Sequence, residues 1–368
     1  MSTLAVIFDP HFWPHRRHGG PLVRGINRRA ELCLDVGQRA IRTASQPNAP
    51  LIVAGDLIDS AGPVVPQFAF ALRQQLAANR RSVTLMLGNH DMTADGDHSL
   101  GIYTRRDDFT DVRVCDDISF MSGDCLTDFD LGSDEACLVP FHRDIRDERV
   151  RDVPLVIAHF GVYDDSFPAW CKKAKGAWHV DALFAFMQER NIKAICLGDW
   201  HSRQVWETDS GFDMQIKHTP QSTPQANSRD SFIVMQGGAL CPTGWDNPGL
   251  HGYGTVALWD VDEHRLSWQE LPGPRFCVAR SEEEERGIIT EAQRLGHNLY
   301  LRRYYSGTRP ETPQGLEAYE ALPVAVERAA VVTAPSAAPN QLQQMVSDWL
   351  DQFNDDRDAL AEHIGRYL

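Results

Sequence analysis

Five short apolar runs in this chain each lead into residues able to bind a cation or move a proton. Residues 4–8 precede Asp9, residues 51–54 precede Gly55-Asp56, and residues 83–87 precede Gly88-Asn89-His90-Asp91. Residues 155–158 precede His159, and residues 194–197 precede Gly198-Asp199-Trp200-His201. Four or five aliphatic residues without alternation are the pattern of a strand buried on both faces. Helical spacing falls between several of the runs: Cys33, Val36, Ala40 and Ile41 share one stripe, and Phe68, Ala71, Leu72 and Leu76 share another. This alternation predicts α/β layers, in which polar groups at the carboxyl ends of the strands form the site.

Composition narrows the classes. With 36 Lys+Arg against 51 Asp+Glu, the net charge is −15, which argues against a surface that coats nucleic acid throughout but leaves local basic patches open. A hydrophobic share of 42%, with nine Trp and sixteen Phe, fills a core and excludes general disorder. No apolar run approaches the ~20 residues of a membrane span, and the first residues reach Asp9 too soon for a signal peptide. The eight cysteines form no C-x-x-C pair and read as packed thiols of a cytoplasmic protein. At 368 residues the chain exceeds the roughly 250–300 that one core supports, so a large domain with smaller additions is expected.

Beyond residue 231 the pattern turns to strands, at 232–235, 254–259 and 265–271, preceded by a polar stretch at 214–231 read as a long loop. Ser281 and Glu284 form a capping box that opens a helix to about Leu295, and 298–305 reads as a strand. A Pro/Ala linker at 334–339 leads to Leu342, Met345, Val346, Trp349, Leu350 and Phe353 at helical spacing, then Leu360, Ile364 and Leu368. The expected organisation is a catalytic domain at 1–274, a small α+β domain at 275–333, and C-terminal helices at 340–368.

Asp9, His11, Asp56, Asn89, His159 and His201 all lie just past a predicted buried strand. Carboxylate, imidazole and one amide oxygen suit Mn2+, Fe2+ or Zn2+, and the lack of thiolates argues against structural zinc. Five such placements in order predict a metal site.

Asp9-Pro10-His11, Gly55-Asp56-Leu57-Ile58-Asp59, Gly88-Asn89-His90-Asp91, Ala158-His159 and Gly198-Asp199-Trp200-His201 resemble the five signatures of the calcineurin-like metallophosphoesterases. Within that superfamily the chain is most similar to the SbcD type, the nuclease subunit of a double-strand-break repair complex, and especially to its bacteriophage recombination-endonuclease relatives. Leu138-Val139-Pro140-Phe141, the segment from Gln236-Gly237-Gly238-Ala239 to Trp245, and Gly252-Tyr253-Gly254 extend the likeness over nearly the whole chain. It implies a four-layer α-β-β-α sandwich with a small α+β DNA-capping domain and C-terminal helices that dock a partner ATPase. It also implies two divalent ions, Mn2+ or Mg2+. One would be held by Asp9, His11, Asp56 and His201, and the other by Asp56, Asn89, His159 and Asp199, with Asp56 bridging. His90 would stabilise the phosphorane and protonate the leaving oxygen, with Asp91 orienting it. The family's usual fifth motif is Gly-His-x-His; Asp199 departs from it, adding negative charge and favouring harder ions over Zn2+.

Arg16, Arg17, Arg24, Arg28 and Arg29 follow the first motif, and Lys172, Lys173 and Lys175 follow the fourth. Such clusters beside metal-bearing loops suit attraction of a polyanion, here DNA. Phe12, Trp13 and Trp170 fit base stacking or a core equally. The function expected is a two-metal DNA exo/endonuclease that is a homodimer within a complex with an SMC-like coiled-coil ATPase. The alternatives are a phosphoesterase for a small phosphodiester or phosphoprotein, and a catalytically weakened scaffold.

The apolar stripe at 342–353 carries Trp349 and Phe353, which at ~25 cal/mol per Å² must pack on something. Deleting residues 340–368 is expected to abolish co-purification with the ATPase while sparing Mn2+-dependent cleavage of short DNA. Loss of intrinsic activity or unfolding in the truncated chain would assign these residues to the catalytic core instead.

Overall fold

Alternate side chains of each central strand enter different cores. In the computed structural model Leu4 and Val6 of the strand Thr3–Ile7 pack between two sheets, whereas Ala5 and Ile7 pack under helices. The structure describes residues 3–323, apart from 16, 23–25, 62–64, 80, 108–109, 124, 129–134, 210–215, 219–224, 228–230 and 246–247. The expected C-terminal helices, the end of the small α+β segment, Arg16 and Arg24 lie outside the described residues.

The first eight-stranded sheet runs Gln225–Asn227, Arg265–Glu270, Thr255–Asp260, Thr3–Ile7, Leu51–Ala54, Val83–Met86, Thr110–Cys115, Arg105–Asp107. Its centre is parallel, as buried strands joined by helical crossovers must be. The second runs Ile216–His218, Gln204–Asp209, Ser231–Gln236, Ala194–Gly198, Leu155–His159, Ala136–Val139, Ser119–Ser122, Cys125–Thr127, again with a parallel centre. Facing sides meet in a core that includes Val6, Ile52, Met86, Leu138, Ile157 and Cys196. Helices Arg28–Ser45 and Pro66–Leu76 cover the outer face of the first sheet through Cys33, Val36, Phe68 and Leu72. Helix Val180–Glu189 covers the second through Leu183, Phe184 and Met187. The four-layer α/β sandwich is therefore present.

The helix starts obey local chemistry. Asn27 Oδ1 accepts from the Ala30 amide at 2.9 Å, and Pro66 occupies the first turn of its helix, where no amide is needed. The stretch read as a loop at 214–231 is a correction. Ile216–His218 and Gln225–Asn227 are edge strands pairing with Gln204–Asp209 and Arg265–Glu270. Edge pairing needs backbone groups rather than apolar side chains, so polar residues there carry no strand signal.

Pro274–Ala279, Asn298–Tyr305 and Ala318–Pro323 form a parallel three-stranded sheet under helix Glu282–Leu295. Ser281 Oγ caps that helix at the Glu284 amide (3.1 Å), and the Glu284 carboxylate reaches back to the Arg280 amide (2.7 Å). This sheet packs on the segment after the first strand. Arg28 pairs with Glu317 at 3.1 Å, His18 with Glu320 at 3.1 Å, and Phe276 and Tyr300 pack with Leu32 and Trp245. Arg29 is 2% exposed, lies over the Phe276 ring, and donates to the carbonyls of Arg17, Pro242 and Thr243. No helix among the described residues is long and apolar enough to cross a membrane.

Arg29 thus holds three carbonyls through one buried side chain. Arg29→Ala is expected to destabilise the protein by about 3 kcal/mol, since each buried acceptor left unpaired costs roughly 1–3 kcal/mol. A urea titration measures this, and an unchanged midpoint would show that these bonds contribute nothing.

Candidate metal centre

The parallel strands of both sheets end at one edge, and the motif residues sit at those strand ends or on the turns that follow. Asp9 and His11 follow Thr3–Ile7, Asp56 follows Leu51–Ala54, and Asn89 and His90 follow Val83–Met86. His159 ends its strand opposite Gly198, which brings the fourth and fifth motifs side by side. The first two turns continue as a pair, His11 N–H donating to Asp56 O and Phe12 N–H to Leu57 O, both at 2.9 Å.

These turns hold an unusual backbone. Asp9, His11, Asp56 and Asp199 have φ of 42°, 45°, 50° and 88°, a region that non-glycine residues seldom occupy. Each such residue costs on the order of 1–3 kcal/mol and persists where the surroundings enforce it, commonly at functional sites. Gly55, at φ 86°, leaves room for the His159 ring, which a Cβ there would meet at 2.1 Å.

Electron pairs converge at two points. His11 Nε2 faces His201 Nε2 at 2.9 Å and lies 3.7 Å from Asp56 Oδ2. Asp59 Oδ1 is 3.3 Å from His11 Nδ1, a buried ring nitrogen with no hydrogen-bond partner. At the second point His159 Nε2 lies 2.9 Å from Asn89 Oδ1 and 3.5 Å from the same Asp56 Oδ2. His159 Nδ1 donates to Ala54 O at 2.9 Å, so its Nε2 is a lone-pair atom in the neutral ring. Asp9 Oδ1 accepts from the Asp199 amide at 2.9 Å, whereas its buried Oδ2 has no hydrogen-bond partner. Closely packed imidazole nitrogens beside buried carboxylates, one oxygen of which is orphaned, are what divalent cations would satisfy. The donor set of carboxylates, imidazoles and an amide suits hard-to-borderline divalent ions.

Charge tells the same story. Burial pushes the Asp9 and Asp199 carboxyls above the ordinary range, and the nearby Asp56 charge adds to this. Burial would also raise Asp56, but His159, then His11 and His90, hold it well below the usual carboxylate range. Burial works against a charge on His159, yet Asp56, Asp9 and Asp199 raise its basicity well above normal. Burial, with His11 alongside, lowers His201 to about 3. The pocket draws positive charge towards its carboxylates.

The tight groups of potential ligands among the described residues are Asp9, Asp56 and His159, and His11, Asp59 and His90. Asp199 belongs to neither; its amide binds Asp9 and its carboxylate accepts from the Gly161 amide. Asp91 lies behind the site. Its buried carboxylate accepts from the amides of Leu57, Ile58 and Gly88, tying the second and third motifs together. Burial, then the Asp56 charge, pushes it up to about 7. His90 is held by Asp59, whose carbonyl accepts from His90 Nδ1 at 2.9 Å. Asp59, three residues after Asp56 in the second motif, is the site residue that the sequence reading left without a role. Its spacing within that motif was the available signal.

The basic residues divide. Arg29 is buried, Arg28 pairs with Glu317, and Arg17 lies 3.6 Å from Glu320, so these three serve contact with the three-stranded sheet. Lys172, Lys173 and Lys175 are exposed, with Lys172 3.2 Å from Asp165. Phe12 is core, and Trp13 packs against that core. Trp170 is exposed.

A family model described as calcineurin-like phosphoesterase matches residues 5–203, more than half of the chain. No curated protein matches the chain.

Asp56→Ala is expected to lose at least one of two bound ions, because Asp56 Oδ2 lies at both convergence points. Asp199→Ala is expected to weaken one site, and Asp199→His to restore it with a shift towards softer ions. Metal analysis of the purified variants decides this. Full occupancy in Asp199→Ala would put that side chain outside the ligand shell.

Proposed function

The chain belongs to the calcineurin-like phosphoesterase family, and from that premise we infer a two-metal DNA nuclease that hydrolyses phosphodiester bonds. The observation that carries the two-ion reading is Asp56 Oδ2, within 3.7 Å of His11 Nε2 and 3.5 Å of His159 Nε2. Asp9, His11, Asp56 and His201 would hold one divalent ion, and Asp56, Asn89, His159 and Asp199 the other, with Mn2+ the ion we propose. Bound there, such a pair supplies Lewis-acid chemistry that lowers the pKa of a water and neutralises charge on the phosphate. The protein's own contribution is positional. Asp91 fixes the turns of the second and third motifs through three amides, and Asp59 lies against His11. His90 Nδ1 is engaged by Asp59 O, so Nε2 is the atom left to pass a proton to the leaving oxygen.

DNA as substrate is supported by the exposed Lys172, Lys173 and Lys175 beside the fourth motif in a chain of charge −15. The resemblance of the whole chain to SbcD-type nucleases supports the same reading, together with an SMC-like ATPase partner and a dimer within that complex. Among the described residues seven cysteines are buried free thiols, which accords with a cytoplasmic setting.

The test is Mn2+-dependent cleavage of plasmid and oligonucleotide DNA beside hydrolysis of bis(4-nitrophenyl) phosphate. Cleavage of both is expected, and hydrolysis of the small diester alone would replace the nuclease by a small-substrate phosphodiesterase. His90→Ala is expected to keep both ions and lose about 10²- to 10⁴-fold in rate, the usual contribution of a positioned acid. A metal-free His90→Ala protein would make His90 a ligand instead.

A further inference from the structure

Trp200 stands between two motif residues, Asp199 and His201, and its ring does not enter the main core. It stacks on Phe167 with centroids 5.6 Å apart and planes 25° from parallel, and Trp170 leans against it at 6.2 Å and 54°. The indole lies directly over Gly161, where a Cβ would fall 2.1 Å from the ring. The three aromatics, with Asp199, His201 and Gln204, line a cleft of about 410 Å³ that opens beside the metal centre. That volume lies within the roughly 300–1,000 Å³ of small-ligand sites. Trp170 is 68% exposed at its mouth.

Exposed aromatic surface gathered into one cluster is a mark of a binding site. The loop that carries Trp170 is anchored. The short parallel pairing of Val162–Tyr163 with Trp178–His179 closes its base, and Trp206 Nε1 donates to Asp164 at 2.9 Å. Lys172 and Lys173 follow Trp170 within one turn of 3-10 helix, with Lys175 just beyond. An aromatic wall with two motif residues, Asp199 and His201, at its inner end, and exposed lysines just after Trp170 in the chain, together fit one occupant, a phosphate ester with a planar ring next to the phosphate.

We propose that Phe167, Trp170 and Trp200 form a stacking subsite for an unpaired nucleobase adjoining the scissile phosphate. This deepens the nuclease reading and rests on it. A base inside a duplex is already stacked on both faces, so the subsite selects single-stranded ends or frayed nucleotides. The lysines attract the neighbouring backbone, while Trp170 discriminates a base from its absence.

The test compares a fluorescein-labelled oligothymidylate with an abasic tetrahydrofuran oligomer of equal length. Binding is read by anisotropy with Mn2+ on the His90→Ala background, where cleavage is suppressed. The thymidylate is expected to bind at least tenfold more tightly than the abasic strand. Adding Trp170→Ala is expected to bring the two within about twofold, and Trp170→Tyr to restore most of the difference, since stacking is worth about 1–3 kcal/mol per base. Equal affinities with Trp170 in place, or a preference that survives Trp170→Ala, would overturn the subsite. If wild-type protein cleaves DNA while the affinities are equal, only the subsite fails. If it hydrolyses bis(4-nitrophenyl) phosphate but no DNA, the nuclease reading fails and takes the subsite with it.

Discussion

One carboxylate oxygen, Asp56 Oδ2, governs the organisation of this protein. It sits almost fully buried between His11 and His159, with Asp9 close by and equally buried. Buried acids of this density repel one another and pay for lost hydration, which is why Asp9 and Asp199 resist ionisation while Asp56 keeps its charge through the imidazoles around it. Positive charge among the acids relieves that repulsion. The family to which the chain belongs supplies that charge as divalent metal.

The layers exist to hold that cluster in register. Two sheets with parallel centres bring five strand ends to one edge, and the core between them fixes the distance from the first three motifs to the last two. The positive φ angles of Asp9, His11, Asp56 and Asp199 show the constraint locally, because these residues leave the strand direction sharply to aim inward. Asp91 and Gln236 act from behind as backbone ties. Asp91 joins the second and third motifs, and Gln236 donates to Gly198 O at 2.6 Å while accepting from the Val162 amide. A site built this way is preorganised by hydrogen bonds to the main chain.

The aromatic cleft and the basic residues show how the surroundings of a site differ from its centre. Arginines that follow the first motif in sequence turn towards the three-stranded sheet, where Glu317 and Glu320 neutralise two of them. The lysines after the fourth motif remain at the surface, next to exposed indole. Sequence proximity to a motif therefore did not decide which basic residues contact the three-stranded sheet; acidic partners brought in from residues some 300 positions later did.

The apolar runs and the residues that follow them determined the central strands, the layer class and the motif residues gathered at the strand ends. Those features depend on local burial and on chemistry that few residue types can perform. Ser281 and Glu284 likewise marked their helix start, because capping is local. The polar edge strands at 216–218 and 225–227 were illegible, since the backbone of a partner strand, and not their own side chains, makes them strands. Only the tertiary structure decided that Asp91 accepts from three amides, that Asp59 lies against His11 and His90, and that Arg29 is buried. A sequence states which groups a residue can offer. Which partner lies within 3 Å of it is fixed by chain segments whose approach only the packed layers determine.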